Sequence, residues 1–170
     1  MLWVASVAWG QGAWRPDKTV EFIVATVAGG NSDKITRLAQ KILQDRKQLT
    51  MPAIVSNRTG GNQTLAFNYT FQHAGDAHYL MLSKPVLFTN ELSGISNRRY
   101  TDLTPLVLLV IENTVLAVRA ASPIKDMADL VARLKVDAES VSFATPSRGG
   151  QPHLTTAAVV RAAGLDPRKM

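Results

Sequence analysis

An α/β fold with a parallel sheet is predicted by three observations on the 170-residue chain. Short apolar runs begin near residues 20, 53 and 79, and the first is β-branched with no polar face beyond Glu21, as a strand buried on both sides is. Helical periodicity fills the stretches between them. Glycine pairs at Gly29-Gly30, Gly60-Gly61 and Gly149-Gly150 stand where a strand gives way to a helix, and such alternation favours parallel strands with helices on the sheet faces.

Residues 20–43 organise the rest. Their apolar run is interrupted only by Glu21 and stops at Gly29-Gly30. A helix then opens with Asn31 or Ser32 as N-cap and Asp33 in the first turn, where a carboxylate suits the macrodipole. Ile35, Leu38, Ala39, Ile42 and Leu43 repeat at helical spacing as its buried face. Ala53-Ile54-Val55 is a second strand, followed by a helix capped by Asn62 or Thr64 with Leu65, Ala66 and Tyr69 facing inward. Residues 79–83 are a third strand. Residues 88–103 read as a loop or short helix, and residues 106–111 and 114–118 as two consecutive strands. A helix begins near Asp126 with Ile124, Met127, Leu130, Val131 and Leu134 as its stripe. Residues 141–144 form a last strand, leading through Gly149-Gly150 into an alanine-rich helix that ends at Gly164.

Composition narrows the function. Hydrophobic residues make up 46% of the chain, as in a globular protein. With no cysteine, disulfides, thiolate nucleophiles and zinc–thiolate sites are excluded. The net charge of +6 comes from scattered residues, so it points to solubility and to encounter with anions, with no nucleic-acid partner. Residues 1–13 are apolar and end in small residues, like the back half of a secretory signal peptide with possible ends after Ala8 or Ala13. Export to the periplasm follows from that reading, and no other segment is long and apolar enough to span a bilayer.

Several motifs in one order carry a resemblance. They are Gly29-Gly30-Asn31-Ser32-Asp33, Val55-Ser56-Asn57-Arg58-Thr59-Gly60-Gly61, Asp76-Ala77-His78-Tyr79-Leu80, Tyr100-Thr101-Asp102-Leu103-Thr104-Pro105, and the stretch from Ser142-Phe143-Ala144 to His153-Leu154. From about Pro16 to the C-terminus the chain resembles the tripartite tricarboxylate transporter receptors, the Bug-type periplasmic solute-binding proteins. The resemblance implies a two-lobed α/β periplasmic binding protein fold (a Venus flytrap) that closes on a small organic carboxylate and delivers it to membrane permease subunits. It implies no catalysis, no cofactor and no metal. Residues 14–105 would be lobe one, and residues 106–170 the crossover and an incomplete start of lobe two. Thr26 and Ala28 stand where members usually carry an aromatic residue and a proline. Met170 falls where the family continues, so the chain resembles about half a receptor, expected to be poorly soluble or partly folded at this length.

The candidate ligand-binding residues are Gly29, Gly30, Ser32 and Asp33 in the first lobe and Ser147, Gly149, Gly150 and His153 in the second. Glycines let backbone approach a ligand, and a helix N-terminus offers N–H groups to an anion. A carboxylate cannot attract a carboxylate, so Asp33 either accepts from a ligand hydroxyl, amine or water or only stabilises the helix start. Catalytic alternatives lack their motifs. Ser147 sits in no Gly-x-Ser-x-Gly elbow, and the glycine pairs match neither a phosphate loop nor a dinucleotide fingerprint. The three histidines have no metal-ligand spacing. A phosphate- or nucleotide-handling α/β enzyme is the alternative reading.

Overall fold

Three parallel strands in the order β2-β1-β3 form the sheet. They are β1 (Val20–Val24), β2 (Ala53–Asn57) and β3 (Tyr79–Leu82). The structure is a computed structural model that describes residues 14–169; the expected signal segment lies outside the described residues. Register pairs Val20 with Ala53 and Glu21 with Tyr79. The chain divides into two compact units. One runs up to Gly60 and includes Leu65–Leu82; the other holds Gly61–Thr64 and the chain from Ser83.

In the first unit β1 is central and almost wholly buried, which its unbroken apolar run foretold. Its side chains alternate between two layers, as the strand period requires. Val20 and Phe22 pack with Ala53, Leu43 and Leu49, on the side of helix α1 (Asn31–Asp45). Ile23 and Ala25 pack with Ala66, Tyr69, Tyr79 and Met81, on the side of helix α2 (Thr64–Gln72). Phe67, which the expected inward face omitted, is fully buried, and Leu65 is exposed. The expected caps of α2, Asn62 and Thr64, make other bonds. Asn62 pairs with Asn90, and the Thr64 hydroxyl donates to the Gly61 carbonyl.

The expected face of α1 is also corrected. Leu38 and Ile42 are exposed, while Ser32, Asp33 and Thr36 are buried at the helix start. The helix presses its polar N-terminal turn against the sheet edge, where side chains and backbone can satisfy those groups. Its N-cap is Gly30, without a side-chain bond, because the first-turn acid performs the satisfying role described below. Neither Asn31 nor Ser32 caps the helix.

The second unit is helical: α3 (Val86–Leu92), α4 (Met127–Val136) and α5 (Gln151–Ala162). α4 starts where the sequence indicated, and Asp126 caps it by accepting from the Asp129 N–H. Leu130, Leu134 and Val160 form its core with Ile124, Val141, Phe143 and Leu165 around them. Met127 is exposed instead. Residues 106–111, 114–118 and 141–144 join no ladder among the described residues, contrary to the strands expected there. Apolar, β-branched composition marks a segment that suits a sheet, but the strand exists only through a partner's hydrogen bonds. Leu106, Val107, Leu108 and Ile111 are accordingly exposed.

Phe67→Ala should destabilise the first unit by about 3–5 kcal/mol, the usual cost of emptying a buried aromatic site. Urea unfolding of the two proteins checks this, and a loss below about 1 kcal/mol would mean that α2 does not pack as described.

Candidate functional site

All three strands run the same way, so the loop leaving β1 and the end of β2 share one sheet edge. The strand order carries the chain from one side of β1 to the other between β2 and β3. The carboxyl end of β1 is therefore at a topological switch point, where open α/β sheets place a ligand crevice. Gly29, Gly30, Ser32 and Asp33 all lie there.

Asp33 is the hub of this loop. Its Oδ2 accepts from the Gly29 N–H at 2.9 Å and from Arg37 Nε at 3.0 Å. Its Oδ1 accepts from Arg37 Nε at 3.1 Å and from Asn57 Nδ2 at 3.0 Å. The same Asn57 amide donates to the Thr26 carbonyl at 2.9 Å, so the end of β2 is tied to the loop after β1. The carboxylate is 3% exposed, and Arg37, then the Gly29 N–H and Asn57, hold it far below the ordinary carboxylate range. Gly29 has φ of +79°, a left-handed conformation that strains any side chain. A Cβ on Gly30 would lie 3.1 Å from the Val27 carbonyl oxygen. The N–H groups of Asn31, Ser32 and Asp33 precede the first bond of the helix, which Lys34 N–H makes to the Gly30 carbonyl.

A second network braces the β2 side. Glu21 accepts from Ser56 Oγ, from Tyr69 Oη at 3.0 Å and from Arg58 Nη2 at 3.3 Å. Burial pushes its carboxyl up, and those bonds overcome the push and leave it below its usual value. The Arg58 guanidinium lies 3.2 Å from the Tyr69 ring centre, so the residue after Asn57 is fixed from two sides.

In the second unit, Ser147, Gly149, Gly150 and His153 come together at the start of α5. Their geometry repeats that of the first loop. Gly149 has φ of +76°, and its N–H donates to His153 Nδ1 at 3.2 Å. The Gly150 N–H donates to the Ser147 carbonyl as the Gly30 N–H does to that of Val27. Gly150 is the N-cap, with φ −72° and ψ 167° against −68° and 169° at Gly30. One turn on, the Thr156 hydroxyl donates to the Pro152 carbonyl at 2.9 Å, and the Thr36 hydroxyl to the Ser32 carbonyl at 2.8 Å. The two loops are one device built twice. Arg148 is exposed.

Sequence reasoning missed Arg37, although an acid and a base four residues apart on a helix are a readable pair. It named Thr26 only as a departure from the family pattern; its buried hydroxyl has no hydrogen-bond partner and lies beside Gly30. The repeat Gly-Gly-x-x-Asp/His-x-x-Thr was legible in the residues themselves. No group of three or more His, Asp or Glu side chains among the described residues is arranged to hold a metal ion.

Residues 35–169 match the family described as the tripartite tricarboxylate transporter family receptor, TctC. The chain is 27% identical to protein BugT of Bordetella pertussis, over 83% of this chain and 44% of the relative. It is 30% identical to a UPF0065 protein of Bordetella bronchiseptica, over 96% of this chain and 49% of the relative. In fold it is similar to a TctC solute-binding protein from Polaromonas crystallised without ligand. That match has a TM-score of 0.57 and 20% identity, and covers 89% of this chain and 51% of the other. The chain thus spans about half the length of the curated relatives it matches.

The Asp33 network has a pH signature. Its folded-state value is lowered, so its stabilisation is complete above the unfolded value near 4 and is lost as pH falls from there toward the folded value. Asp33→Asn should lower the melting temperature at pH 7 by on the order of 5 °C and flatten the acid limb of the stability curve. Melting curves from pH 7 to pH 3 check both; parallel limbs in the two proteins would show that Asp33 carries no such role.

Proposed function

Because the chain belongs to the tripartite tricarboxylate transporter family of receptors, we propose that it captures a small organic carboxylate and that each of its glycine loops is built to meet an anion. The carrying observation is the repeated loop. Each has a left-handed glycine and then a glycine N-cap, so no bulky side chain stands at the start of the helix, where first-turn N–H groups lack intrahelical partners and the dipole is positive. Gly29, Gly30 and Ser32 supply the first loop, and Ser147, Gly149, Gly150 and His153 the second. Asp33 is assigned to holding its loop, because its oxygens already accept from Gly29, Arg37 and Asn57. Arg37 balances its charge, which removes the objection that an acid beside the site would repel a carboxylate.

In this reading residues 14–105 are the first lobe and residues 106–170 the crossover and start of the second. The protein is exported to the periplasm, hands its ligand to membrane permease subunits and catalyses no reaction. The excess of positive charge speeds encounter with an anion. No helix among the described residues is long and apolar enough to cross a membrane.

The test is a thermal-shift and titration panel on the purified protein, with dicarboxylates, amino acids, aromatic acids and, for the competing enzyme reading, nucleotides. A ligand at 100 times its Kd should stabilise the folded protein by about 2.7 kcal/mol. At least one carboxylate should do so and nucleotides should not. No shift with any acid removes the proposal, and a shift with nucleotides alone would favour the enzyme.

A further inference from the structure

We propose that His153 is a proton-dependent positioning residue, which holds the Gly149-Gly150 loop through the Nδ1 lone pair and releases it when the ring is protonated. Among the described residues, α1, α4 and α5 begin with the same bond, in which a first-turn side chain accepts from the N–H four residues earlier. Asp33 accepts from Gly29, Asp129 Oδ2 from Lys125 at 2.9 Å, and His153 Nδ1 from Gly149 at 3.2 Å. The first two acceptors are carboxylates. The third is an imidazole, and a backbone N–H can only donate, so Nδ1 must carry its lone pair.

Two consequences follow. The neutral ring is fixed as the Nε2–H tautomer. A proton at Nδ1 then replaces the acceptor with a donor aimed at another donor, and it places a cation at a helix N-terminus, where the macrodipole opposes it. Asp33 has no such state near neutral pH, since Arg37 and its other partners keep it ionised. One copy of the device is therefore permanent and the other is switchable. The charged groups that line the groove beside His153 are Glu139, Arg168 and Lys169, and Arg148 lies in the loop itself; their titration must be separated from that of the ring.

As regulation of a binding site this rests on the function proposed above, but its test needs no ligand. Nitrogen-15 spectra of the labelled chain, in solution or as a sediment, should show His153 as the Nε2–H tautomer at pH 8. The Gly149 amide should shift as pH falls, with the same midpoint as the His153 ring. His153→Asp, which installs the acceptor of the first loop, should keep the Gly149 amide at its bonded position and abolish that midpoint. His153→Leu should leave the amide at its released position at every pH. An Nδ1–H tautomer at pH 8, a Gly149 amide indifferent to the ring's titration, or the same midpoint persisting in His153→Asp would each overturn the proposal. Failure here leaves carboxylate binding standing, and failure of every carboxylate to bind leaves the loop switch standing.

Discussion

The first unit depends on one carboxylate having no unmet obligation. A buried ionised acid is costly unless paired and hydrogen-bonded, and Asp33 is both. Its Oδ2 closes on the loop backbone at Gly29, its Oδ1 on Asn57 at the end of β2, and Arg37 one turn along α1 spans the two. Three elements that sequence separates are thereby set to one geometry: the turn after β1, the start of α1 and the end of β2. The Glu21 network with Ser56, Tyr69 and Arg58 does the same work one layer down. A binding edge needs this kind of support, because loops left to their own entropy do not hold N–H groups in place.

The supporting networks also explain why α1 departs from simple amphipathicity. Its heptad-like stripe of Leu38 and Ile42 is exposed, and its buried turn is Ser32, Asp33 and Thr36. Periodicity reports where burial of apolar area is worth most, and it ranks polar side chains as outward. Here hydrogen bonds outweigh that preference over one turn, since the Asp33 carboxylate and the Thr36 hydroxyl both have partners. The Thr36 hydroxyl, for instance, turns back onto the Ser32 carbonyl.

What could be read from the residues follows the same division. The run around β1 is legible because a strand buried on both faces leaves no other choice of residue, and Gly29-Gly30 marks its end. The start of α4 near Asp126 was legible from its helical stripe, while the capping bond itself is seen only in the structure. The strands expected at residues 106–111, 114–118 and 141–144 were not decidable, because pairing is a relation between segments and composition describes only one of them. The site was half legible. Glycine pairs and Asp33 announced themselves, but whether Asp33 faces a ligand or its own loop turns on Arg37 and Asn57, which lie one helical turn and one strand away.

The repeated loop separates two demands that a glycine turn must meet. Backbone shape is met in the same way in both copies: a positive φ at Gly29 and Gly149, then an extended N-cap at Gly30 and Gly150. A side chain on Gly30 would press on the Val27 carbonyl, and one on Gly150 would collide with the Ser147 hydroxyl. The acceptor that locks the turn is met differently, by a carboxylate in one copy and an imidazole in the other. A carboxylate brings a charge that demands its own counter-ion, and Arg37 occupies the helix face to supply it. An imidazole brings none, and the matching position on α5 is Ala157.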